Sequence, residues 1–119
     1  MPVIHSDSVE ARNVEAGRST TIQVLIPPQL GPNFALRRFV MQPGGSMPRH
    51  TNAVEHEQYV LRGQATISIG DEAYVVRAGD AVLIPEGEIH SYENTGDEPF
   101  EFLCVVPNKD DQITVVAGC

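Results

Sequence analysis

A chain of 119 residues fits one domain, because a second hydrophobic core would starve the first. Hydrophobic residues at 41% and charged residues at 20% are globular composition, which excludes the low-hydrophobicity, high-charge class of disordered chains. The net charge of −8, from 16 acidic and 8 basic residues, argues against a nucleic-acid backbone or an anionic membrane surface as partner and otherwise serves solubility.

The opening segment MPVIHSDSVEARNVEAG has no basic stretch followed by an apolar one, and no run approaches the ~18 apolar residues of a membrane span. Cys104 and Cys119 are too few and too far apart for a disulfide framework or a CxxC pair. A reducing, cytoplasmic setting is therefore expected.

In chain order, short runs rich in Val, Ile, Phe, Tyr and Thr alternate with Gly, Pro, Asn and Asp, and no stretch carries a 3.6-residue apolar period. Strands are predicted at Thr21–Ile26, Phe34–Gln42, Ser46–Asn52, Glu57–Ser68, Glu72–Arg77, Ala81–Ile84, His90–Glu93, Phe100–Val106 and Ile113–Ala117. Turn chemistry marks the links at Pro27–Pro32, Pro43–Gly45, Gly70–Asp71, Gly79–Asp80 and Asn94–Pro99. The pattern is all-β and fits a sandwich or closed barrel over residues 1–119 as a single domain.

Three of the four histidines fall in two short segments. In Gly44-GSMPR-His50-T-Asn52-AVE-His56-EQYVLR-Gly63, strand alternation points His50 and Asn52 the same way, and a three-residue turn brings His56 back beside them. In Gly79-DAVLI-Pro85-E-Gly87-EI-His90-SYE-Asn94, a Pro-Glu-Gly turn launches a strand near His90. The second segment resembles the second cupin motif, G-x5-P-x-G-x2-H-x3-N, at every fixed position. The first, residues 44–63, resembles the first cupin motif at Gly44, His50 and Gly63, but Asn52 stands where a second histidine is usual and His56 where a glutamate ligand is usual. The whole stretch from Pro32 to Pro107 is similar to a compact thermophilic manganese cupin that uses four histidines, of which this chain keeps three.

The resemblance implies a double-stranded β-helix, the cupin jelly-roll barrel, holding one divalent ion on His50, His56 and His90. Manganese or iron comes first by analogy, with zinc, copper and nickel also compatible with neutral imidazoles. Three protein ligands leave positions open for water, substrate or oxygen. Asn52, a weaker donor than imidazole, suits a hydrogen bond to metal-bound water, while Glu55 and Glu57 fall out of the ligand register.

Alternation turns Gln58 and Val60 inward from His56, Tyr92 from His90, and Phe102, Cys104 and Val106 along the last long strand. Ala35, Arg37, Phe39 and Met41 are read as the inward phase of residues 35–41. Gln58, Tyr92 and Arg37 are thus the expected catalytic or substrate-orienting groups. Phe39, Met47, Asn52, Phe102 and Cys104 are the expected pocket, for which plain core packing is an equal reading of Phe39, Met47 and Phe102. The resemblance leaves three classes open: metal-dependent dioxygenases, non-redox Lewis-acid cupins acting as cyclase, isomerase or lyase, of which zinc-using polyketide cyclases are an example, and non-catalytic small-molecule-binding modules. A dioxygenase acting on a small organic substrate is the leading expectation. A homodimer is also expected, because Thr21–Ile26 and Ile113–Ala117 would be exposed strand edges in a lone barrel.

Overall fold

The computed structural model describes residues 2–109, 111 and 113–116. After a 3₁₀ turn at Ser6–Ser8 come ten strands: β1 (Arg12–Asn13), β2 (Arg18–Ile26), β3 (Phe34–Thr51), β4 (His56–Arg62), β5 (Gln64–Ile69), β6 (Glu72–Arg77), β7 (Ala81–Ile84), β8 (His90–Glu93), β9 (Phe100–Pro107) and β10 (Thr114–Val115). All pairings are antiparallel, in the order β6-β5-β8-β3-β9-β4-β7, with β2 and β10 also on β3 and β1 on β2. The sheet curls on itself in the jelly-roll manner.

β3 is the hinge of the curl. Its first half pairs with β2 and β9, and its second half with β8 and β10, so one strand belongs to both walls. The expected break at Pro43–Gly45 is therefore a correction: the strand runs through. Gly44 at φ +79 bends the chain, and the register with β2 jumps between Arg18 and Thr20, so the turn residues make a bulge instead of a reversal. Conversely, the predicted strand Glu57–Ser68 is two strands. Gly63, at φ +81, bends the chain as it passes from β4, paired with β7 and β9, to β5, paired with β6 and β8, and a Cβ there would strike the Pro99 carbonyl oxygen. β1 lacked any apolar run to announce it, and the predicted end of the last strand at Ala117, like Cys119, lies outside the described residues.

Alternation governs burial. β4 reads buried–exposed from His56 through Val60, and β9 buries Phe100, Phe102, Cys104 and Val106. Phe100, Met41, Ile67, Ile84 and Val60 are fully buried in the core, with Phe100 and its β3 partner Met41 at the Gly63 end; each contributes about 1.5–3 kcal/mol by leaving water. Asn94 fastens this end: its Nδ2 donates to the carbonyls of Met41 (2.9 Å) and Glu98 (3.0 Å), and its Oδ1 accepts from Gly96 N (3.0 Å). The other half of the barrel stays open as a cavity.

Candidate metal centre

His50 and His90 face each other across the β3–β8 ladder, and their rings lie 4.1 Å apart, centroid to centroid. His56 comes from β4, in the other wall, with its ring 6.1 Å from that of His90. The three line one cavity of about 140 Å³ together with Val14, Ile22, Arg37, Phe39, Met47, Asn52, Gln58, Tyr92, Phe102 and Ile113. Every predicted pocket residue except Cys104 is thus on the cavity wall. Cys104 is fully buried just behind it, in reach of Arg37, Gln58 and His56.

Backbone carbonyls orient two of the imidazoles. His50 Nδ1 lies 2.7 Å from Pro48 O and His90 Nδ1 2.9 Å from Glu88 O. A carbonyl only accepts, so both Nδ1 atoms carry the proton and both Nε2 atoms keep a lone pair. His56 Nδ1 lies 3.6 Å from Cys104 Sγ. The Nε2 atoms of His56 and His90 are buried without a partner. Burial lowers both residues to about 4; Arg37 is the next cause for His56, whereas for His90 the Glu88 carbonyl partly opposes the effect. These imidazoles are neutral near pH 7, the form that donates to a metal ion.

Asn52 is buried, and its Nδ2 donates to Asp111 (3.2 Å), which also takes the Ala53 N–H at 2.9 Å. Its Oδ1 is left free and buried on the cavity side. Gln58 Nε2 donates to Tyr92 Oη at 2.6 Å, and burial pushes the Tyr92 phenol well above its ordinary value, so it holds its proton. Phe102 stacks between Phe39 (4.9 Å, 11°) and Tyr92 (5.4 Å, 9°). Glu55 and Glu57 are exposed, as their register predicted. Asp111, Val14, Ile22 and Ile113 were not foreseen; they reach the site through pairings remote in sequence, for which local patterning holds no signal.

Fold and site together place the chain in a class: it belongs to the cupin family, whose cupin domain matches residues 37–106. Among solved structures it is similar to the polyketide cyclase RemF of Streptomyces resistomycificus, at a TM-score of 0.90 and 31% identity over 100% of this chain and 87% of that one. A predicted oxalate decarboxylase of Thermotoga maritima shares the fold, with a TM-score of 0.80 at 24% identity over 88% of this chain and 97% of that one. An oxalate-binding protein of Thermotoga maritima is 36% identical over 70 residues, 58% of each chain. A mannose-1-phosphate guanylyltransferase of Klebsiella pneumoniae is 32% identical over 74 residues, 60% of this chain but 16% of its own. The chain thus spans less than two thirds of these curated relatives.

The donor set fits the divalent ion common in this family, although no group of three His, Cys, Asp or Glu side chains is closed around a metal position among the described residues. Two imidazoles on one ion, with bonds of about 2.0–2.1 Å, hold their centroids roughly 4.5–5.2 Å apart. The observed 4.1 and 6.1 Å fall on either side of that range, within about 1 Å. Two buried Nε2 atoms without a partner, on residues that line one cavity, are costly, and such an ion would compensate them.

Proposed function

We propose that the protein is a metal-dependent cupin of the non-redox kind, closing a ring in an enolisable polyketone-type substrate. The observation that carries this is the likeness to the polyketide cyclase RemF along the whole chain. The cavity wall supports it: about 140 Å³ is close to the roughly 150 Å³ engineered cavity that holds benzene, so one ring is enclosed at a time. His50, His56 and His90 would hold the ion, which when bound supplies Lewis acidity toward a carbonyl oxygen. The likeness moves the expected ion from manganese or iron toward a redox-inert one such as zinc.

The remaining work falls to side chains. The Phe39, Phe102 and Tyr92 rings confine a nascent planar ring, and the apolar lining excludes water that would compete for the enol. In an aldol condensation a bond forms between an enol carbon and a carbonyl carbon, and the carbonyl oxygen leaves as water; no oxidant is required. Both hydrogens of that water come from the nucleophilic methylene; Tyr92, which keeps its proton, donates a hydrogen bond to the carbonyl oxygen, and the Gln58 N–H at 2.6 Å fixes the phenol in place.

A second reading, dioxygenase chemistry at the same histidines, draws support from the ligand count, because three donors leave room for both substrate and oxygen. The test is to incubate zinc-loaded protein with a short poly-β-ketone thioester while recording oxygen. The proposal expects a product lighter by one water with no oxygen uptake. Oxygen consumption tied to substrate loss, or no conversion with zinc, would overturn it.

A further inference from the structure

Two adjacent arginines on β3 meet opposite fates. Arg38 points outward and is saturated, with Nη2 3.2 Å from Glu101 and Nη1 donating to Gln23 at 2.8 Å. Arg37 points inward and has no carboxylate partner among the described residues. Its Nη2 donates to the Cys104 sulfur at 3.3 Å, a weak acceptor, its guanidinium lies 5.2 Å from the Phe39 ring centre, and its Nε is buried with no partner. Asp111, which shares a neighbouring hollow with Arg37, spends its oxygens on Asn52 and Ala53.

A half-buried cation with no ion-pair partner carries a cost, and this chain has acidic residues in twofold excess from which one could have been supplied. Instead Arg37 is the single permanently charged side chain on the cavity wall among the described residues. The histidines offset none of its charge, because an imidazole brings no negative charge, and one of them stands where a glutamate ligand is usual. A bound divalent ion would add further positive charge. Asp111 keeps its charge in the neighbouring hollow, so within this cavity itself a countercharge is left for the ligand to bring.

We propose that Arg37 is the anion-recognition group of this cavity, and that the ligand is a small apolar ring bearing a carboxylate or enolate oxygen, which pairs with the guanidinium. This rests on the cavity being the substrate site and adds the charge of what it takes. The ring packs on the Phe39–Phe102–Tyr92 stack while the anionic oxygen meets the guanidinium.

The probes are benzoate and its neutral isostere benzamide, titrated calorimetrically into the full chain, both chelator-treated and zinc-loaded. Benzoate is expected to bind the chelator-treated protein about tenfold or more tighter than benzamide, the weight of one hydrogen bond to a charged group. Arg37→Met is expected to remove that preference, Arg37→Lys to keep part of it, and Arg38→Met to leave it intact. Equal binding of the two probes to the native chain overturns the proposal without recourse to any variant, as does a preference that survives Arg37→Met or vanishes equally in Arg38→Met. In that case Arg37 serves packing over Phe39. Because this preference is read without metal, a failed cyclisation assay leaves it standing, and its own failure leaves the cyclisation reading intact.

Discussion

Asn52 is where residue chemistry departs most from the family pattern. Its amide nitrogen is tied to Asp111, its oxygen is buried without a partner, and the residue lines the cavity. An imidazole in its place donates more strongly to a transition metal than an amide oxygen does. Asn52→His is therefore expected to slow metal loss to chelator and, by filling an open position, to lower turnover. Unchanged metal loss would show that residue 52 does not serve the ion. The histidines predict a pH response of the chelator-treated protein as well. Burial lowers His56 and His90 to about 4, against about 6.5 in the unfolded chain. Between those values the unfolded chain binds protons that the folded chain refuses, so stability is full above pH 6.5, falls as pH drops toward 4, and levels off below. Urea midpoints at pH 7.5 and 4.5 check this, and a variant carrying His56→Gln and His90→Gln should lose less over the same interval.

At the scale of elements, the parts written in local chemistry were legible and the parts created by pairing were not. Period-2 alternation placed Gln58, Val60, Tyr92, Phe102 and Cys104 inside correctly, because a one-residue slip would expose a whole face. The inward phase of Ala35, Arg37, Phe39 and Met41 was also right, with Ala35 and Met41 in the core and Arg37 and Phe39 on the cavity. Glycine was the ambiguous letter. At Gly44 a positive φ gives a bulge inside a continuing strand, while at Gly63 it ends one strand and starts another with new partners; what differs is the pairing available on either side, which no local window contains. Gly63→Ala is accordingly expected to cost about 1–3 kcal/mol from backbone strain, with the clash on Pro99 adding to it. Thermal unfolding should shift down by roughly 5 °C or more; an unshifted midpoint would mean that the β4–β5 turn can relax freely.

For the whole molecule, the two expected open edges are only lightly covered. β1 pairs with β2 at Thr21 and Ile22, leaving Val24 and Ile26 partly exposed, and β10 adds Thr114 and Val115 beside β3. Strand edges of this kind are covered in stable proteins, so a homodimer is expected, with a sedimentation mass twice the 13.0 kDa of the chain at micromolar concentration. A mass of one chain would contradict it. The three histidines come from both walls of the curl, two from the β3–β8 ladder and one from β4, so a metal centre built on them would depend on the barrel having closed. The most direct measurement is the metal content of the native chain and of His50→Ala, His56→Ala and His90→Ala, each purified without added metal and again after reloading with zinc. The expected result is about one ion per native chain and a sharp loss in each variant. Full retention of metal by His56→Ala would contradict a centre built from these three histidines.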